Sequence, residues 1–587
     1  MAAATIRRIA AELVAAAFDE SQSIAQPWTD AWGREQAGFS SRPVAVHAMR
    51  GISAHANGFH TCRDLHILQM LLGAVDRPGS WRYKPPFPRP CPPPVRPAGK
   101  PGQVEAGKVL PGPPLGFPVA PGDLLVEADG SPRRLDRAFS WEAPLAAHGL
   151  LHLAITNACR QEPYAIDTLF LFMANMAWNS AMNVEETRAM LTERDGSGAY
   201  RIPHIIYVDA FRSETVDFAD LILPDTTYLE RWDCISLLDR PICDAEGAAD
   251  SIRQPVLALD RDVRPFQDVL LDLGYRLGLP GMTQADGTPR FPGGYSDYIV
   301  NHERKPGIGP LAGFRGPDGQ QEGIGAPNPN QLERYIENGC FWRTEVPEAG
   351  RFFRYANRAY LDWARSMGFL DQAEPITLQF YGEVLQRFRL AAEGHGAVQP
   401  PERDRARVAR YFDPLPLWHA PFEDEGNDER DFPLHAVTQR PMAMYHSWGS
   451  MNSWLRQIHA ANRLYVPAGL AKAQGLADDD WVRLTSRHGS VKAQIRLQHA
   501  LNAKTVWTWN AIGKRRGAWG LAPDAPEFTR GFLLNGLIDE LLPDRGGGYR
   551  YANSDPVTGQ AAWYDLRVRL EKLPEAEIPT RGGGPPR

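Results

Sequence analysis

No stretch of this sequence approaches the roughly 18 consecutive apolar residues that cross a bilayer as a helix. The opening run, MAAATIRRIAAELVAAAFDE, is Ala-rich, but Glu12 interrupts what would be the apolar core of a secretory signal. Ile6, Ile9, Leu13 and Phe18 fall on helical spacing instead and predict an amphipathic helix. Cysteine is scarce: Cys62, Cys91, Cys159, Cys234, Cys243 and Cys340, with no pair at CxxC spacing. That excludes the usual zinc and iron–sulfur motifs and leaves reduced, packed thiols as the reading. Positive charge is also short. The 64 Lys and Arg against 70 Asp and Glu give a net charge of −6, so no general grip on nucleic acid is expected and any phosphate recognition is local. There is no internal repeat. These absences predict a cytoplasmic chain with no direct membrane insertion and no nucleic-acid partner.

The 587 residues, 43% hydrophobic and 23% charged, suit a globular protein of several domains. Residues 1–83 read as the end of one α/β domain, with an extended run at Val44–His47, a glycine-bounded loop at Arg50–Gly58 and a helix over Leu65–Leu72 that stops at Gly73. Proline crowds the chain from Lys84 to Asp123, so residues 84–149 predict an extended surface strap. Residues 150–281 alternate strands and helices as an α/β nucleotide-binding domain. Residues 282–430 read as an irregular insertion with helical pieces near Gln331–Ile336 and Arg358–Ser366. From residue 431 to 587 short strands dominate. Trp481–Ser486, a turn at His488-Gly489 and Val491–Leu497 make a hairpin that suits a small closed β-barrel.

The densest chemistry lies in Ile202–Asp233, IPHIIYVDAFRSETVDFADLILPDTTYLERWD. Ile205–Val208 is a buried-type run ending at Asp209, and Leu221–Leu223 is a second ending at Pro224-Asp225. About a dozen residues separate them, which fits strand, short helix, strand. Ligands of open α/β sheets gather outside the carboxyl ends of the strands, where these carboxylates fall.

This stretch resembles the molybdopterin oxidoreductases of the dimethyl-sulfoxide-reductase superfamily, and three further segments follow in that family's order. RGISAHANG (Arg50–Gly58) is similar to its "MGxxQHxxG" turn near the pterin, and FMANMAWNSAMN (Phe172–Asn183) to its strand-end asparagine motif. The barrel segment with VTQRPMAMYHSWGSMN (Val437–Asn452) and TWNAIGKRRGAW (Thr508–Trp519) completes the set. The resemblance implies partial doubly wound α/β domains followed by a C-terminal dinucleotide-binding barrel, around a bis(molybdopterin guanine dinucleotide) that carries molybdenum. It places Asn175, Val208, Asp209, Arg231 and Asp268 at one nucleotide, with Arg50 at the pterin-side loop. It places Thr438, Arg440, His446, Ser447, Trp448, Phe532, Asp539 and Tyr564 at the other.

Elementary chemistry fits these roles. Guanine offers two adjacent N–H donors that one carboxylate accepts in parallel, a task for Asp209 or Asp268. Arginine and hydroxyl groups suit phosphate oxygens, and Gly449 allows backbone N–H groups to come close. Simpler readings stand beside them: Asp209 and Asp268 as turn or helix caps, Arg231 in a surface ion pair with Glu230, His446 as a packed imidazole, and Lys514-Arg515-Arg516 as solvated cations. Asp539 stands where family members often carry Asn, and a carboxylate beside a diphosphate is unfavourable.

The family's iron–sulfur segment and the half-domain that supplies the metal ligand have no counterpart in this sequence. The resemblance therefore implies either a partner chain or a longer gene, with an iron–sulfur cluster only on that segment and no metal ligand here. Electrons would leave through a membrane anchor and an iron–sulfur electron-transfer subunit, which would make the chain peripheral to the inner membrane. Formate dehydrogenases place Arg-Gly-Gln-Asn after the "GxxGxPG" turn, whereas Ser80-Trp81-Arg82-Tyr83-Lys84 stands here. GISAHANGFHTCRDLHILQMLLG followed by RYKPPFPRP is similar to the large subunits of cytoplasmic sulfite dehydrogenases. On that reading the substrate is a small oxyanion, Arg82 and Lys84 guide it, and His55 accepts a proton. Formate is the runner-up substrate. A non-catalytic pterin-binding scaffold is the competing class.

Overall fold

The strands after residue 431 alternate side chains strictly enough to close a sheet on itself. In the computed structural model Val482 and Leu484 of the Trp481–Thr485 strand point inward, as do Ala493 and Ile495 of the Ser490–Gln498 strand. Six strands form a closed barrel in the order Leu434–Gln439, Thr505–Trp509, Leu464–Pro467, Ser490–Gln498, Trp481–Thr485, Arg567–Lys572. Two neighbouring pairs are parallel, with Thr438 opposite Thr508 in one and Leu464 opposite Ile495 in the other. Closure leaves no edge strand, and the interior is filled by Val466, Val482, Leu484, Val506 and Val568. The structure describes residues 2–30, 33–48, 50–81, 118–146, 150–235, 242–243, 247–303, 306–319, 325–345, 358–371, 380–426, 428–515, 531–544 and 547–579.

The chain divides into two compact units that cut across the boundaries read from the sequence. One unit comprises Ala48–Cys62, Arg96–Leu223 and Tyr381–Arg587, and holds the barrel. Its second sheet has the order Thr168–Phe172, His204–Asp209, Leu221–Pro224, with the first two strands parallel and Phe172 opposite Val208. The strand–helix–strand reading holds in outline, but the helix is a single 3-10 turn at Glu214–Phe218. Ile155, Leu171, Ile205 and Tyr207 pack into the core behind this sheet.

The strap needs correction. Residues 82–117 lie outside the described residues, but between Leu124 and Ala146, and at Leu150, the chain contributes to the core: Trp141 packs with Leu385, Phe388 and Phe412, while Phe139 and Leu150 pack with Leu541. The apolar residues after Asp123 drive this packing. Part of the supposed insertion joins the same core, through the helices Glu383–Ala392 and Glu402–Tyr411.

The other unit comprises Met1–His47, Arg63–Val95 and Pro224–Phe380. The N-terminal helix spans Ala3–Phe18, but the expected apolar face is only partly used. Leu13, Ala16 and Ala17 pack with Val44, Leu68 and Leu72, whereas Ile6, Ile9 and Phe18 are exposed. Val44–His47 joins no sheet, and the helix expected at Leu65–Leu72 already begins at Gly58 and ends at Leu71. A further four-stranded antiparallel sheet combines Asp233–Ile235, Ile242–Cys243, Gly247–Arg253 and Phe341–Glu345. Ile252, Ile299, Leu311 and Tyr335 pack against it. A helix spans Phe266–Arg276, with Asp268 in its first turn. Among the described residues no helix is long and apolar enough to cross a membrane.

Candidate functional site

Strand ends and barrel loops bring most of the expected residues into the barrel-containing unit. Val208 is buried and its carbonyl accepts from the Met173 N–H at 2.9 Å, which turns the chain into the Asn175 loop. Asn175 is then held on three sides: its amide donates to Glu214 at 2.7 Å and to Ser447 at 3.1 Å, and its oxygen accepts from Thr215 at 2.9 Å. Glu214 is the centre of this buried network. It also accepts from the Lys514 ammonium at 3.0 Å and from the Arg515 N–H at 3.0 Å. Lys514 is therefore neither solvated nor free for a phosphate, because its charge is neutralised inside the protein. Arg516 lies outside the described residues.

Asp209 closes its strand as a hydrogen-bond hub. Its carboxylate accepts from Tyr207 Oη at 2.7 Å, from Trp448 Nε1 at 3.1 Å and from the Phe211 N–H at 3.1 Å. Burial pushes the carboxyl up from its ordinary range, and these three bonds act in the opposite direction. An ionised carboxylate has about four acceptor sites, so a bidentate guanine would have to displace a donor. The turn reading and the tie to Trp448 coexist here.

Around Trp448 the barrel loop is aromatic, with the Tyr445 ring 4.7 Å away. His446 adopts φ +46°, an uncommon conformation outside glycine, and burial and then Arg440 lower its pKa. Thr438 is half-buried, Arg440 exposed and Ser447 buried. A Cβ on Gly449 would come within 2.8 Å of the Met444 side chain, so this position needs glycine for close packing. Phe532 is buried against the barrel core. The doubtful carboxylate Asp539 accepts from Arg550 at 2.8 Å, which supplies a counter-charge within the protein.

The Arg50–Gly58 loop packs on the residues just before the last barrel strand. Arg50 begins the 3-10 turn Arg50–Ser53 and is exposed. The Tyr564 N–H donates to Ala54 O at 3.0 Å, and its ring leaves no slack for a Cβ at Gly51, which would sit 3.3 Å from it. His55 meets the buried Asp565 at 2.6 Å. Arg82 and Lys84, the expected oxyanion guides, lie outside the described residues.

Arg231 and Asp268 belong to the other unit, where they share the wall of an open pocket of about 390 Å³ with Trp232, Pro265 and Tyr295. Arg231 is not in a surface pair with Glu230. It is buried and donates to Asp225 at 2.5 Å, while Glu230 accepts from Thr227 and pairs with Arg261. Asp225 also accepts from the Phe266 N–H at 2.9 Å and so fixes the start of that helix. Asp268 lies in the first turn and caps a different helix, accepting from the Tyr295 N–H at 2.7 Å. Gly294 beside it has φ +73°, and a Cβ there would sit 2.6 Å from the Asp268 carboxylate.

Sequence reasoning missed Glu214 and Asp565. Glu214 lies inside the quoted motif, yet nothing local shows that its partners come from residues 175, 514 and 515. Asp565 follows Tyr564 directly, but its partner is 510 positions away. Asp225 was visible at a strand end but not as an anchor for Arg231.

Residues 434–551 match the molydopterin dinucleotide binding domain. This segment of the chain is thus a molydopterin dinucleotide binding domain. The chain is 53% identical over 576 residues to a sulfite dehydrogenase subunit of Allochromatium vinosum, a match covering 98% of this chain and 60% of that protein. The chain thus spans well under two thirds of that relative's length. A thiosulfate reductase molybdopterin-containing subunit of Salmonella typhimurium is 27% identical over 136 residues, covering 23% of this chain and 16% of that one. Among solved structures, acetylene hydratase from Pelobacter acetylenicus aligns over 72% of this chain and 46% of its own at 16% identity, with a TM-score of 0.44.

The residues fit a pterin dinucleotide. Buried polar atoms without hydrogen-bond partners occur in two of the expected segments: Trp178 Nε1 after Asn175, and Arg231 Nε on the pocket wall. Asp268 keeps acceptor capacity beyond its bond to Tyr295. Among the described residues no group of His, Cys, Asp and Glu side chains could hold a metal ion.

Proposed function

We propose that this chain is the dinucleotide-holding part of a molybdenum oxidoreductase that converts sulfite to sulfate. Its 53% identity, along 98% of its length, to part of a sulfite dehydrogenase carries the reading. When bound, a bis(molybdopterin guanine dinucleotide) supplies two-electron chemistry at molybdenum. Asp268 is the better guanine carboxylate than Asp209, since the latter already accepts from three donors. Arg231 and Trp232 complete that pocket. At the second nucleotide Thr438, Arg440, Ser447, His446 and Trp448 supply hydroxyl, cation and aromatic contacts, with Phe532 and Tyr564 behind them. Arg440 carries the positive charge there because Lys514 is committed to Glu214. Arg550 neutralises Asp539, so its carboxylate does not oppose a diphosphate.

Sulfite is largely a dianion near neutral pH. Arg82 and Lys84 guide it by charge, and His55 accepts a proton released when water supplies the fourth oxygen. A membrane anchor and an iron–sulfur subunit take the electrons onward and hold the assembly at the cytoplasmic face. Purification of the natural complex, with assays for molybdenum, for GMP released by acid hydrolysis and for sulfite-dependent dye reduction, tests this reading. About one molybdenum and two GMP per chain with sulfite activity is the expected result. Formate activity without sulfite activity would move the substrate. A complex without metal or GMP would make the chain a scaffold.

A further inference from the structure

His55 and Asp565 are joined more tightly than a packing contact requires. His55 Nδ1 lies 2.6 Å from Asp565 Oδ1, and the other carboxylate oxygen accepts from the Ala56 N–H at 2.8 Å. One residue on each side adds to the clamp, since the Tyr564 N–H donates to Ala54 O at 3.0 Å. The Asp565 side chain is 1% exposed and that of His55 33% exposed, so the acid is sealed while the imidazole reaches the surface of the unit. The Ala56 N–H fixes one oxygen and leaves the other for the ring. A carboxylate acceptor there calls for the proton on Nδ1, and in the neutral ring Nε2 is then the nitrogen with a free lone pair.

We propose that Asp565 is the positioning residue that holds His55 in the tautomer whose Nε2 can take up a proton. The inference rests on the reading of His55 as the proton acceptor. In sulfite oxidation one S–O bond forms to an oxygen from water and two protons leave that water; a pterin-bound molybdenum, when held by the enzyme, would supply the two-electron acceptor. Nε2 takes one of the protons. Asp565 orients and steadies the imidazolium that results, without touching substrate. The charged surroundings of the couple are specific. Asp424 and His435 face Asp565, and Arg567 sits between them, with Nε 3.6 Å from Asp424 and Nη1 3.2 Å from His435 Nδ1. The Tyr564 ring is 6.0 Å from the imidazole. Burial first and Asp424 with it raise the Asp565 carboxyl, while His55 and the Ala56 N–H lower it.

Two measurements test the assignment. Histidine-selective 15N spectra of the full chain, with His55 assigned by loss of its signals in His55→Gln, should show a protonated Nδ1 and a bare Nε2. The opposite tautomer overturns the proposal without need of any variant at Asp565. In the complete enzyme, Asp565→Asn keeps an acceptor for Ala56 but turns an N–H toward the ring. It should reverse the tautomer and lower kcat by about 100-fold while KM for sulfite and pterin content stay within about twofold. If His55→Gln is inactive but Asp565→Asn keeps wild-type kcat, the proposal is overturned. If His55→Gln itself keeps wild-type kcat, the reading of His55 as acceptor falls, and the spectra alone decide whether Asp565 sets the tautomer.

Discussion

The barrel and the three-stranded sheet beside it in the chain solve the same problem in opposite ways. In the barrel every strand has two neighbours, and Leu464, Val482, Leu484, Ile495 and Val506 are fully enclosed. In the sheet the Leu221–Pro224 strand lies at one edge, and Leu221 and Ile222 are 49% and 45% exposed. The barrel is held by apolar burial in all directions. The sheet's functional end is held by polar bonds instead: Asp209 to Tyr207 and Trp448, and Asn175 to Glu214 and Ser447. The barrel loops thus hold the strand ends through Trp448 and Ser447.

The contrast can be broken most sharply in the barrel wall. Val506→Asp places a carboxylate in a sealed apolar interior and should cost more than about 4 kcal/mol, read as loss of cooperative urea unfolding at 25 °C. A mild effect would mean that the barrel interior is accessible to water.

An intermediate effect is expected at Glu540, in the polar layer beside the barrel. Burial first, with Glu186 and Asp539, pushes its carboxyl up to about 7 from an ordinary 4.5. The folded state therefore favours the protonated acid. That contribution is fully present below pH 4.5 and is lost as the pH rises through 7. Glu540→Gln should match the wild type at pH 5 and exceed it at pH 8 by about 2–3 kcal/mol in denaturant midpoints. An equal difference at both values would show that the carboxyl titrates normally.

The smallest effect belongs to the sheet edge. Ile222→Thr should change stability by less than about 0.5 kcal/mol by thermal melting, because the side chain already faces solvent. A large loss would show that another part of the assembly covers this edge.

The legibility of the sequence follows the same division. Strands whose pattern is local were readable: Trp481–Ser486 and Val491–Leu497 each fall within a residue or so of the observed elements. Their alternation is fixed by which face meets the core. The strap was misread because proline content says where a sheet cannot run and nothing about burial, and Trp141 and Phe139 pack deep in the core. The N-terminal helix was found, yet its contacts were not, since periodicity cannot say which part of an apolar face meets a partner. Candidate site residues read from short motifs lie where the chain turns out of strands, as with Val208, Asp209 and Asn175. The pairings behind them, Glu214 with Lys514 and His55 with Asp565, join residues hundreds of positions apart, and no local pattern encodes such pairings.

The buried bond between Glu214 and Lys514 has a consequence for descent. Loss of either partner alone strands a charge in the interior at about 3–5 kcal/mol, a large share of what holds a domain together. If Glu214 is the one lost, Asn175 and the Arg515 N–H lose an acceptor as well. A lineage can drift at the exposed Ile222 one step at a time, but these two positions have to change as a pair. Substitution there advances by rare double replacements, and the site keeps its inner framework long after the surface around it has turned over.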